Sequence, residues 1–181
     1  VSYPGYDANQ INNVSYYASL INNSSSPLYN RATQQTLAPG STFKPISAIA
    51  GLEEGVIDAD TYITDYVEYT KVVPHANCWN SAGHGTINVE QAIEYSCNYF
   101  FYEVGYRLGS KNNTTELNDS TGLALLAKYA KMFGLDSVSG LELPETTPRI
   151  SDESVVRSAI GQATHNYTAA ELARYVTAIA N

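Results

Sequence analysis

Basic residues are scarce in this chain. Its 181 residues include 10 lysines and arginines against 18 aspartates and glutamates, for a formal net charge of −8. Such a chain repels a phosphate backbone, and the sequence offers no basic stripe to offset that repulsion. No apolar run approaches the length of a membrane span either. We therefore expect no nucleic-acid partner and no membrane-spanning segment within these residues.

Cysteine is also rare, with two residues in the chain. Cys78 and Cys97 permit one disulfide but do not imply it, because the sequence does not show how close their backbones lie. His75, Cys78 and His84 are residues of metal-binding types, yet no fourth ligand follows them at a recognised spacing. We expect no metal ion and no other cofactor.

The hydrophobic content, 44% of the residues, is that of a folded protein with one substantial core. Apolar residues at helical spacing predict helices over 41–54, 99–109, 122–134 and 169–181, and a further helix that begins at Asn88. The stretch 55–85 lacks sustained periodicity and should form irregular hairpins and loops. Residues 1–9 have the pattern of a short strand that closes in a turn.

Two capping boxes mark where helices begin. Asn88 with Gln91, and Thr168 with Glu171, have the paired side chains that bond reciprocally to backbone N–H groups in the first turn of a helix. Between the helix that begins at Asn88 and the next one, the small polar residues 96–98 interrupt the apolar pattern. The sequence predicts a break between two helices there.

Ser41 and Lys44 stand three residues apart, where a Pro-Gly turn gives way to a predicted helix. Residues at this spacing share a helical face, so we expect the Lys44 amine to reach the Ser41 hydroxyl. A serine nucleophile needs a base, and a lysine can serve when burial lowers its pKa. The helix N-terminus adds N–H groups for an oxyanion. Taken alone, however, such a pair is more often an ordinary helix cap with a first-turn lysine.

The residues around this pair resemble the transpeptidase domain of penicillin-binding proteins. The segment "PGSTFKP" resembles the Ser-x-x-Lys nucleophile motif of that family, and Ser96-Cys97-Asn98 resembles its Ser-x-Asn motif. Other stretches follow in the order the family has them, including "HGTINVEQAIEYSCNYFFYEVGYRLG" and "SAIGQATHNYTAAELARYVTAIAN". The resemblance covers most of the chain.

The resemblance implies roles for four residues. Ser41 would be the acylated nucleophile and Lys44 its general base. Ser96 would relay a proton between that lysine and the leaving amine, while Asn98 would hold the substrate's peptide carbonyl or orient Lys44. The alternative for Ser96 and Asn98 is that they only cap the helix that follows them.

The third motif of the family, Lys-Thr-Gly, is absent from the sequence. We expect a truncated chain, in which residues 1–181 hold a partial transpeptidase domain. The resemblance then implies an α+β fold of the β-lactamase/transpeptidase type, mostly helical here because the C-terminal strands of the sheet are missing. The exposed sheet edge and helix face would favour association with a second copy, and the incomplete site would bind β-lactams poorly.

The function implied by the resemblance is that of a peptidoglycan D,D-transpeptidase. The intact protein would be acylated by D-Ala-D-Ala stem peptides, would cross-link the cell wall and would be inhibited by β-lactam antibiotics. It would lie outside the cytoplasm, held by a membrane anchor outside these residues. A serine β-lactamase is one alternative, which Ser96-Cys97-Asn98 and its flanking residues disfavour. A β-lactam sensor, or another non-catalytic binding module of the same fold, is the second.

Overall fold

The computed structural model describes residues 2–111 and 116–181. Helix α5, Asn98–Gly109, lies at the centre of the core, because apolar side chains occupy most of its circumference. Among the described residues it packs most extensively against three helices: α3, Lys44–Glu53; α6, Asp119–Met132; and α7, Val155–Ser158. The fully buried side chains of α5 include Phe100, Phe101, Val104 and Leu108.

The remaining helices lie around this core. They are α1, Val14–Ile21; α2, Arg31–Gln34; α4, Val89–Glu94; and α8, Ala169–Ala180. Two 3₁₀ turns cover Ala8–Gln10 and Gly40–Phe43. None of the described helices has the length and apolar character needed to cross a membrane.

In the described part of the chain, six short strands pair antiparallel in three small sheets. Strand β1, Thr36–Leu37, pairs with β6, Tyr167–Thr168. Strand β2, Ile63–Asp65, pairs with β5, Gly85–Ile87, with Ile63 opposite Ile87. Strand β3, Glu68–Tyr69, pairs with β4, Ala76–Asn77. Within residues 2–111 and 116–181, each of these sheets has two strands, so helices dominate the fold.

The helices predicted from apolar spacing are present in the structure, but the one predicted over 41–54 begins at Lys44, after a 3₁₀ turn, and the one predicted over 122–134 covers Asp119–Met132. Both capping boxes are formed. The Asn88 side chain accepts from the Gln91 N–H while the Gln91 side chain accepts from the Asn88 N–H, and Thr168 pairs with Glu171 in the same way. The unperiodic stretch 55–85 forms irregular loops and the two small sheets that contain β2 to β5.

The predicted strand in residues 1–9 is wrong. Asp7 instead caps the 3₁₀ turn Ala8–Gln10, and its side chain accepts a hydrogen bond from the Asn9 N–H at 3.0 Å. Aspartate and asparagine form such local bonds in competition with strand pairing. Val1 lies outside the described residues.

Candidate active site

Ser41 lies in the 3₁₀ turn that leads into α3. The turn is fixed at both ends by groups distant in sequence: the Gly40 N–H donates to the Gly161 carbonyl at 2.9 Å, and the Tyr175 hydroxyl of α8 donates to the Thr42 carbonyl at 3.0 Å. Gly161 has φ +72°, and a Cβ at this position would collide with the Gly40 carbonyl oxygen. Only glycine fits this contact without displacing the turn that carries Ser41.

Ser96 and Asn98 lie at the predicted break between α4 and α5. Ser96 has φ +52°, in the left-handed region that non-glycine residues rarely adopt. Cys97 is the residue that caps α5, since its sulfur accepts from the Phe100 N–H at 3.5 Å. The alternative that Ser96 and Asn98 serve only as helix caps is therefore wrong. Strained backbone of this kind is frequent at functional sites.

The buried side chain of Lys44 joins these two segments. Its Nζ donates to Asn98 Oδ1 at 2.7 Å, to the Ser96 carbonyl oxygen at 2.6 Å and to Ser96 Oγ at 3.0 Å. The side chain is almost fully buried, at 1% relative exposure. Burial lowers the pKa of Lys44 to about 8, against the opposing effect of nearby Cys97 and Cys78. The lysine can therefore lose its proton near neutral pH.

Ser96 bridges the nucleophile candidate and the lysine. Its Oγ donates to Ser41 Oγ at 2.9 Å and lies 3.0 Å from Lys44 Nζ. The expected direct hydrogen bond from Lys44 to Ser41 is not among the hydrogen bonds of the described residues. Ser41 precedes α3, in a tighter 3₁₀ turn, and the amine bonds instead to three oxygens of Ser96 and Asn98. The four predicted residues thus form one hydrogen-bonded chain.

A second polar cluster lies directly beneath the turn 96–98. Asp65 Oδ2 lies 2.7 Å from His84 Nδ1 and 3.4 Å from Cys97 Sγ. Cys78 Sγ lies 3.9 Å from Cys97 Sγ and 3.5 Å from His84 Nδ1. A hydrogen bond from Cys97 lowers the pKa of Cys78, and the same bond, together with burial, raises the pKa of Cys97. Both cysteines are free thiols.

We expected no metal because the sequence shows no fourth ligand near His75, Cys78 and His84. The fold supplies a different set of four possible ligands. His75 lies apart from it and pairs with Glu68 at 3.0 Å. Asp65 and Cys97 join Cys78 and His84 instead, and the four ligand atoms lie within 4.8 Å of one another. One carboxylate, one imidazole and two thiols are ligands that suit zinc. A bound ion would link the residues around β2, β4 and β5 to the start of α5. The sequence spacing of the four residues does not reveal the ligand set, because only the fold brings them together.

A family model of the penicillin-binding protein transpeptidase domain matches residues 1–181. The chain belongs to this family. It is 33% identical over 150 residues to the peptidoglycan D,D-transpeptidase MrdA of Escherichia coli K12, a match that covers 80% of the chain and 22% of MrdA. The chain spans about a fifth of the length of the curated relatives it matches.

Solved structures of penicillin-binding proteins have the same fold. Pseudomonas aeruginosa PBP2, in complex with WCK 5153, matches with a TM-score of 0.84 and 26% identity over all of this chain and 43% of that one. Penicillin-binding protein A of Mycobacterium tuberculosis, as a ceftriaxone acyl-enzyme complex, matches with a TM-score of 0.82 and 28% identity. That match covers all of this chain and 41% of the M. tuberculosis chain. These matches confirm the predicted α+β transpeptidase fold.

Proposed function

We propose that this chain is part of a peptidoglycan D,D-transpeptidase whose Ser41 is acylated by the D-Ala-D-Ala end of a stem peptide. The observation that carries the proposal is the hydrogen-bonded chain from Ser41 through Ser96 to Lys44, with Asn98 on the same amine. Membership of the transpeptidase family supports it, as do relatives named D,D-transpeptidase. The ceftriaxone acyl-enzyme of a similar protein supports inhibition by β-lactams.

The three contacts of Lys44 define how it would act as a base. A charged ammonium donates to all three oxygens and has no lone pair to offer. A neutral amine keeps two N–H donors, which match the two shorter contacts, to the Ser96 carbonyl and Asn98 Oδ1. Its lone pair then faces Ser96 Oγ, the longest of the three contacts, and the Ser96 hydroxyl, which donates to Ser41 Oγ while Lys44 is charged, would turn to donate to the neutral amine. Asn98 would orient the amine, and Ser96 would pass it a proton from Ser41.

The acylation step follows from this path. Ser41 Oγ attacks the carbonyl carbon of the penultimate D-alanine while its proton moves to Ser96 Oγ and the Ser96 proton moves to Lys44 Nζ. The C–N bond then breaks, and the terminal D-alanine leaves with a proton returned through Ser96. An amine of a second stem peptide then attacks the acyl carbonyl carbon, the C–O bond to Ser41 breaks, and the proton that the amine loses passes to Ser41 Oγ, which completes the cross-link.

The activity is assigned to the intact protein, meaning this chain together with the segments that complete its transpeptidase domain. Residues 1–181 would be a partial domain that lacks the Lys-Thr-Gly motif. We expect the isolated chain to react slowly with β-lactams, because the carboxylate clamp and one oxyanion donor would come from outside it. The intact protein would face the cell wall, where its substrate lies, on a membrane anchor outside these residues.

Release of D-alanine from a stem pentapeptide, measured with and without an acceptor amine, tests the proposed function. We expect release and a cross-linked product from the intact protein, and neither from its Ser41→Ala variant. Acylation by penicillin without D-alanine release would favour the sensor or binding-module alternative. Rapid turnover of benzylpenicillin would favour a β-lactamase. Either outcome would overturn the transpeptidase assignment.

A further inference from the structure

The Ser96 carbonyl oxygen accepts hydrogen bonds from two side chains. One donor is Lys44 Nζ at 2.6 Å, and the other is the indole N–H of Trp79 at 3.0 Å. Trp79 is the chain's single tryptophan and lies in the segment between β4 and β5. Its side chain is 64% exposed. An aromatic ring that lies mostly in solvent contributes little to the core, so this directed N–H is its distinguishing contact.

We propose that Trp79 is a positioning residue that holds Ser96 between Ser41 and Lys44. The inference rests on the proposed function. Ser96 adopts a backbone conformation that costs a non-glycine residue free energy, and its peptide group lies between the hydrogen-bond ladders of α4 and α5. Two donors on one carbonyl fix the orientation of that peptide group. Because the carbonyl and the side chain of Ser96 are both bonded to its Cα, fixing the carbonyl also restricts the position of the side-chain hydroxyl.

The indole ring is itself held in place from within the fold. It packs against the His84 ring in an edge-to-face arrangement, with centroids 5.2 Å apart. His84 is fixed by Asp65, at 2.7 Å, and its ring is stacked at 6.1 Å with that of Tyr95. The backbone before Trp79 is anchored as well, because the Cys78 N–H donates to the Val67 carbonyl at 2.7 Å. The N–H therefore points at Ser96 from a rigid support.

Trp79 complements Lys44 because the two donors differ in one property. The lysine gains and loses a proton during acylation, so the strength of its bond to the Ser96 carbonyl changes within each cycle. An indole N–H does not titrate and remains a donor throughout. The Ser96 carbonyl thus keeps one constant hydrogen bond while Lys44 acts as the base. Loss of that bond should displace the Ser96 hydroxyl without weakening the binding of substrate.

Trp79→Phe in the intact protein removes the donor and keeps an aromatic ring. The test measures acylation by a fluorescent penicillin over a range of concentrations, which separates the limiting rate from the half-saturating concentration. We expect the limiting rate to fall about tenfold, the cost of one lost hydrogen bond, with the half-saturating concentration and Tm unchanged. The matched control is Tyr95→Phe, on the other side of His84, which should acylate at the wild-type rate.

Three results would overturn the proposal: an unchanged limiting rate, an effect confined to the half-saturating concentration, or a fall in Tm that accounts for the loss. A wild-type protein that is not acylated would refute the proposed function.

The hydrogen bond from the Trp79 indole to the Ser96 carbonyl can be tested without acylation. The measurement is NMR of protein labelled with [15N]tryptophan, in which the Trp79 signal is assigned by its loss in Trp79→Phe. We expect the Trp79 N–H to exchange slowly with solvent and its signal to shift in Lys44→Met; exchange as fast as in free indole would refute the contact.

Discussion

Lys44 is the residue on which the chemistry of the site depends. A buried amine that bonds to three oxygens can act as a base only after it has lost a proton, and burial lowers its pKa to about 8. Below that pH most of the protein would hold an ammonium with no lone pair. The limiting acylation rate should therefore rise with pH and level off above about pH 8. Stopped-flow acylation by a fluorescent penicillin between pH 6 and 10 measures this profile, and a flat profile would contradict a titrating base.

Ser96 is the second residue with a specific prediction. Ser96→Ala removes the hydroxyl that joins Ser41 Oγ to Lys44 Nζ but leaves the backbone carbonyl that Lys44 also contacts. We expect the acylation rate to fall by about 100-fold, within the range for loss of a proton-transfer group, while Tm changes little. A variant that is acylated at the wild-type rate would show that the proton leaves Ser41 by another path.

At the residue scale, motifs predict which side chains meet but not how they bond. The Ser-x-x-Lys and Ser-x-Asn motifs identified Ser41, Lys44, Ser96 and Asn98, and the structure brings all four together. Helical spacing alone predicted a direct contact between Ser41 and Lys44, because it fixes a face of the helix and not the path of a long side chain. The approach of Asp65 to Cys97 depends on strand pairing and has no local signal in the sequence.

At the scale of elements, the turn before α3 depends on its contact with Gly161. Gly161→Ala adds both a strained φ of +72° and a collision with the Gly40 carbonyl. Gly55, at φ +68° after α3, offers a matched control because nothing lies near an added Cβ. We expect Gly55→Ala to cost about 1 to 2 kcal/mol, from strain alone, and Gly161→Ala to cost about 3 kcal/mol or more.

Thermal and urea unfolding of both glycine variants measures these costs. Gly161→Ala should also slow acylation, because the displaced turn carries Ser41, whereas Gly55→Ala should not. Equal losses of stability with equal acylation rates would mean that the close approach of Gly161 to Gly40 does not position the nucleophile.

Local elements were predictable and distant pairings were not. The capping boxes at Asn88 and Thr168 span four residues each, so the sequence displays them directly. The pairing of Thr36 with Thr168 joins residues far apart in the chain, and two-residue strands have no periodicity to reveal them. The strand predicted in residues 1–9 is absent from the described part of that stretch, because the Asp7 carboxylate bonds to the Asn9 N–H and favours a local turn.

At the scale of the whole molecule, α8 leaves apolar side chains in solvent. Val176 and Ile179 are 47% and 45% exposed, and Leu37 of the short strand β1 is 50% exposed. Such surfaces favour association. We expect the isolated 181-residue chain to sediment increasingly as a dimer as its concentration rises, and Val176→Lys with Ile179→Lys to return it to a monomer. A single monomeric species at all concentrations would refute the predicted self-association.

The most direct test of the proposed chemistry is to locate the acyl group. The intact protein is incubated with benzylpenicillin, digested with protease and analysed by mass spectrometry, in parallel with its Ser41→Ala variant. The hydrogen-bonded chain from Ser41 to Lys44 predicts one penicilloyl adduct, on the peptide that contains Ser41, and no adduct in the variant. An adduct on a different residue, or one that persists in Ser41→Ala, would contradict the assignment of Ser41 as the nucleophile.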